Sequence, residues 1–237
     1  MGQTSLAVAA GVNYYLTDAL TLRERYGTVA WQTGRVDFWL AIGDAGGRGL
    51  DPGRPVTPVP ELVVVAGPPG SGKTTLAHKI AAAVGCPAIC RDEIKEGMAH
   101  AAPSFAAGPG DELTQRTLPV FFAVLELLLR SGVTTVAEAA FQDRVWRPRL
   151  EPLRGLARIR VVHCTVGADV AFGRIARRGQ ANPLRRVHAD PRDAAEHEAA
   201  HRAFRPVSVD VPSLEVDTAD GYHPSFGQIL SFVTDRG

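Results

Sequence analysis

Between Gly67 and Thr75 the chain reads G-P-P-G-S-G-K-T-T, a spacing of glycines, lysine and hydroxyls that suits a nucleoside triphosphate. Gly67, Gly70 and Gly72 permit backbone conformations that other residues resist. Successive N–H groups can therefore turn inward around a phosphate, with Pro68, Pro69 and Ser71 completing the loop. Lys73 offers a point charge to the β- and γ-phosphates, while Thr74, followed by Thr75, places a hydroxyl for Mg²⁺. Further along, Arg91-Asp92 opens the stretch RDEIKEGMAH directly after the apolar PAIC. Asp92 has two compatible readings: it caps the following helix, or it accepts a proton from a substrate hydroxyl during phosphoryl transfer. Arg174 and Arg178 are four residues apart and share one face of a helix, with Arg177 beside them. A competing pattern is His197-Glu198-Ala199-Ala200-His201, a literal H-E-x-x-H of the kind that holds zinc in metalloproteases. Arg202 follows it, the surrounding helix is polar and alanine-rich, and only His223 and Glu215 are available, by type alone, as a third ligand. The pattern reads as a chance match.

These groups need elements to hold them. Leu62 to Ala66 is a β-branched apolar run, as expected of a strand buried on both faces. The helix formers after Lys73 place the glycine loop at a helix N-terminus, whose dipole favours anions. Strands are expected over 62–66, 87–90, 133–138, 158–164 and 213–217. Helices are expected over 73–84, 92–100, 111–131, 143–156, 168–178, 190–204 and 223–234. This alternation predicts an α/β fold, a parallel sheet of about five strands covered by helices. Ligands of such sheets lie at the carboxyl ends of the strands, where Gly67, Asp92, Glu138 and Asp217 fall. Residues 43–60 are dense in Gly and Pro and read as a linker. Residues 1–42 are too few for a core of their own and suit a short helix or hairpin. The expected division is an extension and linker over 1–60 and the α/β domain over 61–237.

The 237 residues carry a formal net charge of +1, with 45% apolar and 22% charged residues. That balance gives no general drive toward nucleic acid or an anionic membrane. Charge is uneven, however. Residues 144–206 hold 14 Arg against 6 acids, and residues 207–237 hold 1 Arg against 5 acids. Beside a phosphate loop, an arginine sector is expected to face phosphates. Cys86, Cys90 and Cys164 show neither paired metal spacing nor an even count, and read as small buried residues in a reducing, cytoplasmic setting. No run approaches membrane-spanning length.

GPPGSGKTT together with CRDEIKEGMAH resembles the kinase domain of phage-type polynucleotide 5′-hydroxyl kinases. More broadly, it resembles the P-loop kinases that include zeta toxins, chloramphenicol phosphotransferase and gluconate kinases, AAA-type ATP-binding kinases. The resemblance implies a nucleotide-kinase-like P-loop NTPase, a three-layer sandwich in strand order 2-3-1-4-5 with a helical lid. It implies ATP and Mg²⁺ as cofactors, Asp92 as general base, and Arg91, Lys95 and Glu138 toward the substrate. Lys95 stands where the polynucleotide kinases carry an arginine that grips phosphate with a planar fork. Residues 168–191 resemble the lid, in which Arg174 and Arg178 lead Arg185 and Arg186 as contacts to the transferring phosphate. Asp217 and Thr218 lie where such kinases flank adenine. The usual strand ending in Asp and then a catalytic Glu, found in motor ATPases, is missing. The reading is phosphate transfer to a hydroxyl of a metabolite, nucleoside or antibiotic. Its alternatives are a polynucleotide 5′-hydroxyl kinase and a regulatory ATP-binding protein.

Overall fold

Short segments of the first 42 residues form antiparallel strands. In the computed structural model β1 (Ser5–Ala7) pairs with β2 (Asn13–Tyr15), and β3 (Arg23–Arg25), β4 (Thr28–Thr33) and β5 (Val36–Ala41) make a three-stranded sheet. Of the two options in the sequence, helix or hairpin, the strand arrangement is the one formed. The structure describes these strands and residues 59–102, 105–108, 110–181, 187–188, 193–235. The expected linker thus lies almost wholly outside the described residues, as do Arg185 and Arg186. Backbone contacts divide the chain into Met1–Val56 and Thr57–Gly237.

The second unit is built on β6 (Glu61–Ala66), every residue of which from Leu62 onward is buried. It lies centrally in a parallel sheet with β7 (Ala88–Cys90), β8 (Thr135–Glu138), β9 (Arg158–Thr165) and β10 (Ser213–Asp217). The order is β10-β9-β6-β8-β7, all parallel, which is 2-3-1-4-5 when these strands are numbered within the unit. A strand alternates its side chains between faces, and β6 does so into two cores. Leu62 and Val64 meet Phe121, Leu125, Phe141 and Trp146 on one side. Val63 and Val65 meet Leu76, Ile80, Val216 and Ile229 on the other.

Helices supply those two layers. They are α1 (Lys73–Val84), α2 (Arg91–His100), α3 (Glu112–Arg130), α4 (Asp143–Leu150), α5 (Ala168–Ala181), α6 (Ala194–Ala203) and α7 (Phe226–Thr234). Leu76, Ala77, Ile80 and Ala81 make one buried face of α1 at helical spacing. Gly85 ends that helix with φ 77°, a left-handed geometry that glycine adopts without a Cβ clash. The expected helix 143–156 breaks into α4 and a 3₁₀ turn over Glu151–Gly155, with Pro152 within that turn.

Phe141 bends the chain out of β8 toward α4 with φ 50°. A bulky residue there costs about 1–3 kcal/mol and needs surroundings that impose it. Its ring is fully buried, 4.6 Å from the Trp146 ring centroid and 6.1 Å from that of Phe121. The bend brings Ala140, Gln142, Val145 and Trp146 to the wall of a cavity beside the glycine loop.

Candidate active site

The loop between β6 and α1 is shaped by its three glycines. Gly67, Gly70 and Gly72 have φ of 155°, 82° and 77°. A Cβ on Gly70 would lie 2.5 Å from the Ala171 carbonyl oxygen of α5, so the loop and that helix meet backbone to backbone. Gly72 ends the loop immediately before Lys73, the first residue of α1. The free N–H groups of that helix end face the loop. Ser71 Oγ is buried within the loop and makes no hydrogen bond.

Glu138, at the end of β8, is 1% exposed and binds both chemical groups of the motif. Its Oε1 lies 3.6 Å from Lys73 Nζ, and Oε2 accepts a hydrogen bond from Thr74 Oγ1 at 3.1 Å. Asp92, in the first turn of α2, lines the same cavity as Lys73 and Thr74 and takes a hydrogen bond from Arg91 Nη1 at 3.0 Å. The two carboxyls are pushed apart. Burial raises the Glu138 pKa, and the negative charge of Asp92 adds to this against the pull of Lys73. Burial also pushes Asp92 up, but Lys73, His188 and Arg91 outweigh it and hold Asp92 below the usual carboxylate range. Asp92 therefore stays ionised at neutral pH, as a proton acceptor must.

Two cavities flank the loop. One of about 420 Å³ contains Lys73, Thr74, Asp92, Trp146, Arg178 and His188 among its lining. The other, about 580 Å³, is lined by Gly72, Thr75, Lys79, Arg174, Thr218 and Tyr222. Gly70 and Arg178 line both. The two arginines expected on one helix face thus have different surroundings. Arg174 is committed to the strand-end loop after β10: Nη1 donates to Thr218 Oγ1 at 3.1 Å and Nη2 to the Ala219 carbonyl at 3.1 Å. Arg178, one turn further, stands where the cavities join. Thr218 Oγ1 also donates to the Ser71 carbonyl at 2.8 Å, tying this loop to the phosphate loop. Asp217 does not line the larger cavity; its carboxylate accepts from Ala219 N at 2.8 Å and closes the turn.

Lys95 changes most from its sequence reading. It lines the smaller of these two cavities, yet it is 2% exposed and already bound. Its Nζ donates to Asp111 Oδ2 and to Thr114 Oγ1, each at 2.8 Å, and lies 5.7 Å from the Phe105 ring. Asp111 also caps α3 through Thr114 N at 2.7 Å, so Lys95 clamps α2 to the start of α3. Burial raises the Asp111 pKa, but the Lys95 ammonium and the N–H groups of Thr114 and Gly108 hold it at about 2. Removing Lys95 strands a buried carboxylate. We expect Lys95→Met to cost about 3 kcal/mol in urea unfolding, the low end for a broken buried pair, because Asp111 keeps two backbone donors. A depressed pKa adds stability that is present above about pH 4 and lost as pH falls toward about 2. The gap between the proteins should therefore narrow over that interval.

The zinc-like pattern on α6 serves packing. His197 is 2% exposed with its ring 5.5 Å from that of Phe172 of α5, and the His201 ring lies 5.8 Å from that of His197, tilted by 56°. Glu198 pairs instead with Arg202 at 3.2 Å. Among the described residues, neither His223 nor Glu215 comes together with these histidines as a three-ligand group. The arginine sector is likewise partly spent locally, on Arg147–Asp143, Arg158–Glu61 and Arg202–Glu198. His188, Trp146 and Tyr222 line the cavities without having been singled out in sequence. They carry no motif and come from separate segments, so only the fold gathers them.

A phosphate loop between a central buried strand and α1, a five-stranded 2-3-1-4-5 parallel sheet and an arginine-bearing helix over the loop define a P-loop NTPase fold. The chain belongs to the AAA domain family AAA_33, whose profile matches residues 62–207. Among solved structures it is similar to a candidate kinase from Chloroflexus aurantiacus, with 24% identity, a TM-score of 0.66 and coverage of 74% of this chain and 97% of that one. It is also similar to a gluconokinase from Sinorhizobium meliloti, with 19% identity, a TM-score of 0.50 and coverage of 74% and 92%. Chaetomium thermophilum Kti12, solved with ADP-AlF3, gives 17% identity, a TM-score of 0.52 and coverage of 73% and 100%. No curated protein matches the chain in sequence. Among the described residues, no helix is long and apolar enough to cross a membrane.

Proposed function

We propose that this chain transfers the γ-phosphate of ATP to a hydroxyl of a small, weakly charged acceptor. The observation that carries the reading is that Asp92 shares one cavity of about 420 Å³ with Lys73, Thr74 and Arg178. ATP would lie along the larger cavity, with its base toward Thr218 and Tyr222 and its phosphates on the loop amides, Ser71 and Lys73. The acceptor oxygen attacks the γ-phosphorus in line, the bond to the β-phosphate oxygen breaks, ADP leaves, and the hydroxyl proton passes to Asp92. Thr74 and Glu138 offer hard oxygen donors, which fit Mg²⁺. When bound, Mg²⁺ would neutralise charge on the phosphates. Little covalent help is needed in such a transfer, so positioning and charge supply most of the acceleration.

The preference for a small acceptor comes from how the cavity's cations are paired. Arg91 faces Asp92, Lys95 faces Asp111, and His188 Nε2 lies 3.0 Å from Glu96 Oε1. Leu118, Val145, Trp146 and Ile175 complete the wall. A polynucleotide end would ask for unspent positive charge near its phosphates. Labelled γ-phosphate transfer against sugars, nucleosides, antibiotics and 5′-hydroxyl oligonucleotides tests the proposal. Label on oligonucleotides alone, with steep salt dependence, would replace it with the polynucleotide reading.

The two lid arginines should separate kinetically. Arg178→Ala is expected to lower kcat about 10–100-fold with the KM for ATP little changed, the loss of one charge-assisted contact made as phosphate moves. Arg174→Ala should instead raise the KM for ATP, because it frees the Thr218 loop. Equal effects on both constants from both variants would refute this division.

A further inference from the structure

Three elements that position the active site also bring together a sulfur, a nitrogen and an oxygen on its outer side. His78 lies on α1, one turn beyond Thr74. Cys90 ends β7, and Glu93 lies in the first turn of α2, next to Asp92. His78 Nε2 is 2.7 Å from Glu93 Oε1 and 3.6 Å from Cys90 Sγ. The ligand atoms of all three lie within 4.8 Å of one another. We propose that His78, Cys90 and Glu93 form a binding site for a thiophilic divalent cation of the Zn²⁺ class, separate from the Mg²⁺ position at Thr74 and Glu138.

The geometry suits such an ion. Tetrahedral zinc with bonds of about 2.0–2.3 Å to N, O and S sets neighbouring ligand atoms roughly 3.3–3.6 Å apart. The sulfur–nitrogen separation already has that value. The nitrogen–oxygen separation must widen by about 0.6 Å to reach it, and both side chains are about half exposed and free to move. Cys90 is buried, which fixes the sulfur, while the exposed sides of His78 and Glu93 leave a fourth position to water. Thiolate with imidazole selects zinc-like ions over Mg²⁺, which prefers oxygen. Binding forms a metal–sulfur bond and releases the thiol proton to solvent, with His78 carrying its own proton on Nδ1.

Occupancy reaches the phosphate loop through the sheet. Cys90 pairs in register with Glu138 across β7 and β8, the carboxylate that holds Lys73 and Thr74. Metal ligation replaces the thiol proton with the ion and sets a metal–thiolate unit on the strand beside Glu138, so the ion acts as a brake on the site. This last step rests on the proposed transfer reaction; binding itself does not.

Titration of the whole protein with Co²⁺ alone, followed by absorption, tests the site without any assay of activity. We expect one equivalent with tetrahedral d–d bands and a thiolate-to-cobalt charge-transfer band, competed by Zn²⁺ and unaffected by excess Mg²⁺. Cys90→Ser should erase the charge-transfer band. His78→Gln and Glu93→Gln, surface changes that leave folding intact, should each weaken Co²⁺ more than the 10–100-fold typical of losing an outer-shell partner. In the transfer assay, low Zn²⁺ should slow the enzyme but not His78→Gln, whose rate without Zn²⁺ matches the parent. A Co²⁺ spectrum lacking thiolate character, or one unchanged in Cys90→Ser and lost in His201→Ala, would overturn the assignment. Failure of every acceptor with this Co²⁺ signature intact would instead overturn only the transfer reading.

Discussion

Lys73→Ala is expected to reduce kcat/KM for ATP by about 10³–10⁵-fold. Part of this is ground-state binding: one charge-assisted contact to the triphosphate contributes about 1.5–3 kcal/mol, or roughly 10–100-fold. The rest belongs to the transition state, where removing one preorganised donor costs about 10²–10³ in kcat. The loss should not come from unfolding. Glu138, left without its cation at 3.6 Å, already has its pKa raised by burial. It can take a proton and remain bonded to Thr74. A thermal melt near that of the parent, with turnover gone, is therefore the expected pair of results. Normal turnover in Lys73→Ala would remove the phosphate-loop assignment itself.

Asp92→Asn should lower kcat by about 10²–10⁴ while ATP affinity changes little, since a positioned base contributes about that factor. The carboxamide keeps the size and the bond to Arg91 but cannot accept the acceptor's proton. The sign of the pH dependence follows from the shift. Asp92 is held below the usual carboxylate range, so its ionised form persists on acidification. The acid limb it imposes on kcat should lie below about pH 4. A limb near neutrality in the parent would remove Asp92 as the group that sets it. Transfer at a near-normal rate in Asp92→Asn would remove Asp92 as the base.

Taken with the lid variants, these experiments separate three tasks. Lys73 should affect binding and rate together, Asp92 and Arg178 mainly rate, and Arg174 mainly binding. A protein that only binds nucleotide would show the Lys73 and Arg174 effects without the other two.

Much of this arrangement was legible in residue order, for a physical reason. The phosphate loop, its strand and its helix are contiguous, so φ freedom, β-branching and helix propensity act within 14 residues, 62–75. Asp92 and Glu138 were readable because a parallel sheet brings all its carboxyl ends to one edge. The strand order 2-3-1-4-5 came from resemblance, and the sheet has that order. Tertiary structure alone decided how charges and contacts are shared between distant segments. Lys95 meets Asp111 sixteen residues on, and Arg174 meets Thr218 forty-four residues on. These pairings turn an expected substrate contact into a clamp and divide two arginines that are alike in sequence. They also assign H-E-x-x-H to packing, because His197 faces Phe172 while Glu198 turns to Arg202. Local propensity depends on neighbours along the chain; the partner of a buried charge depends on which helices the sheet brings together.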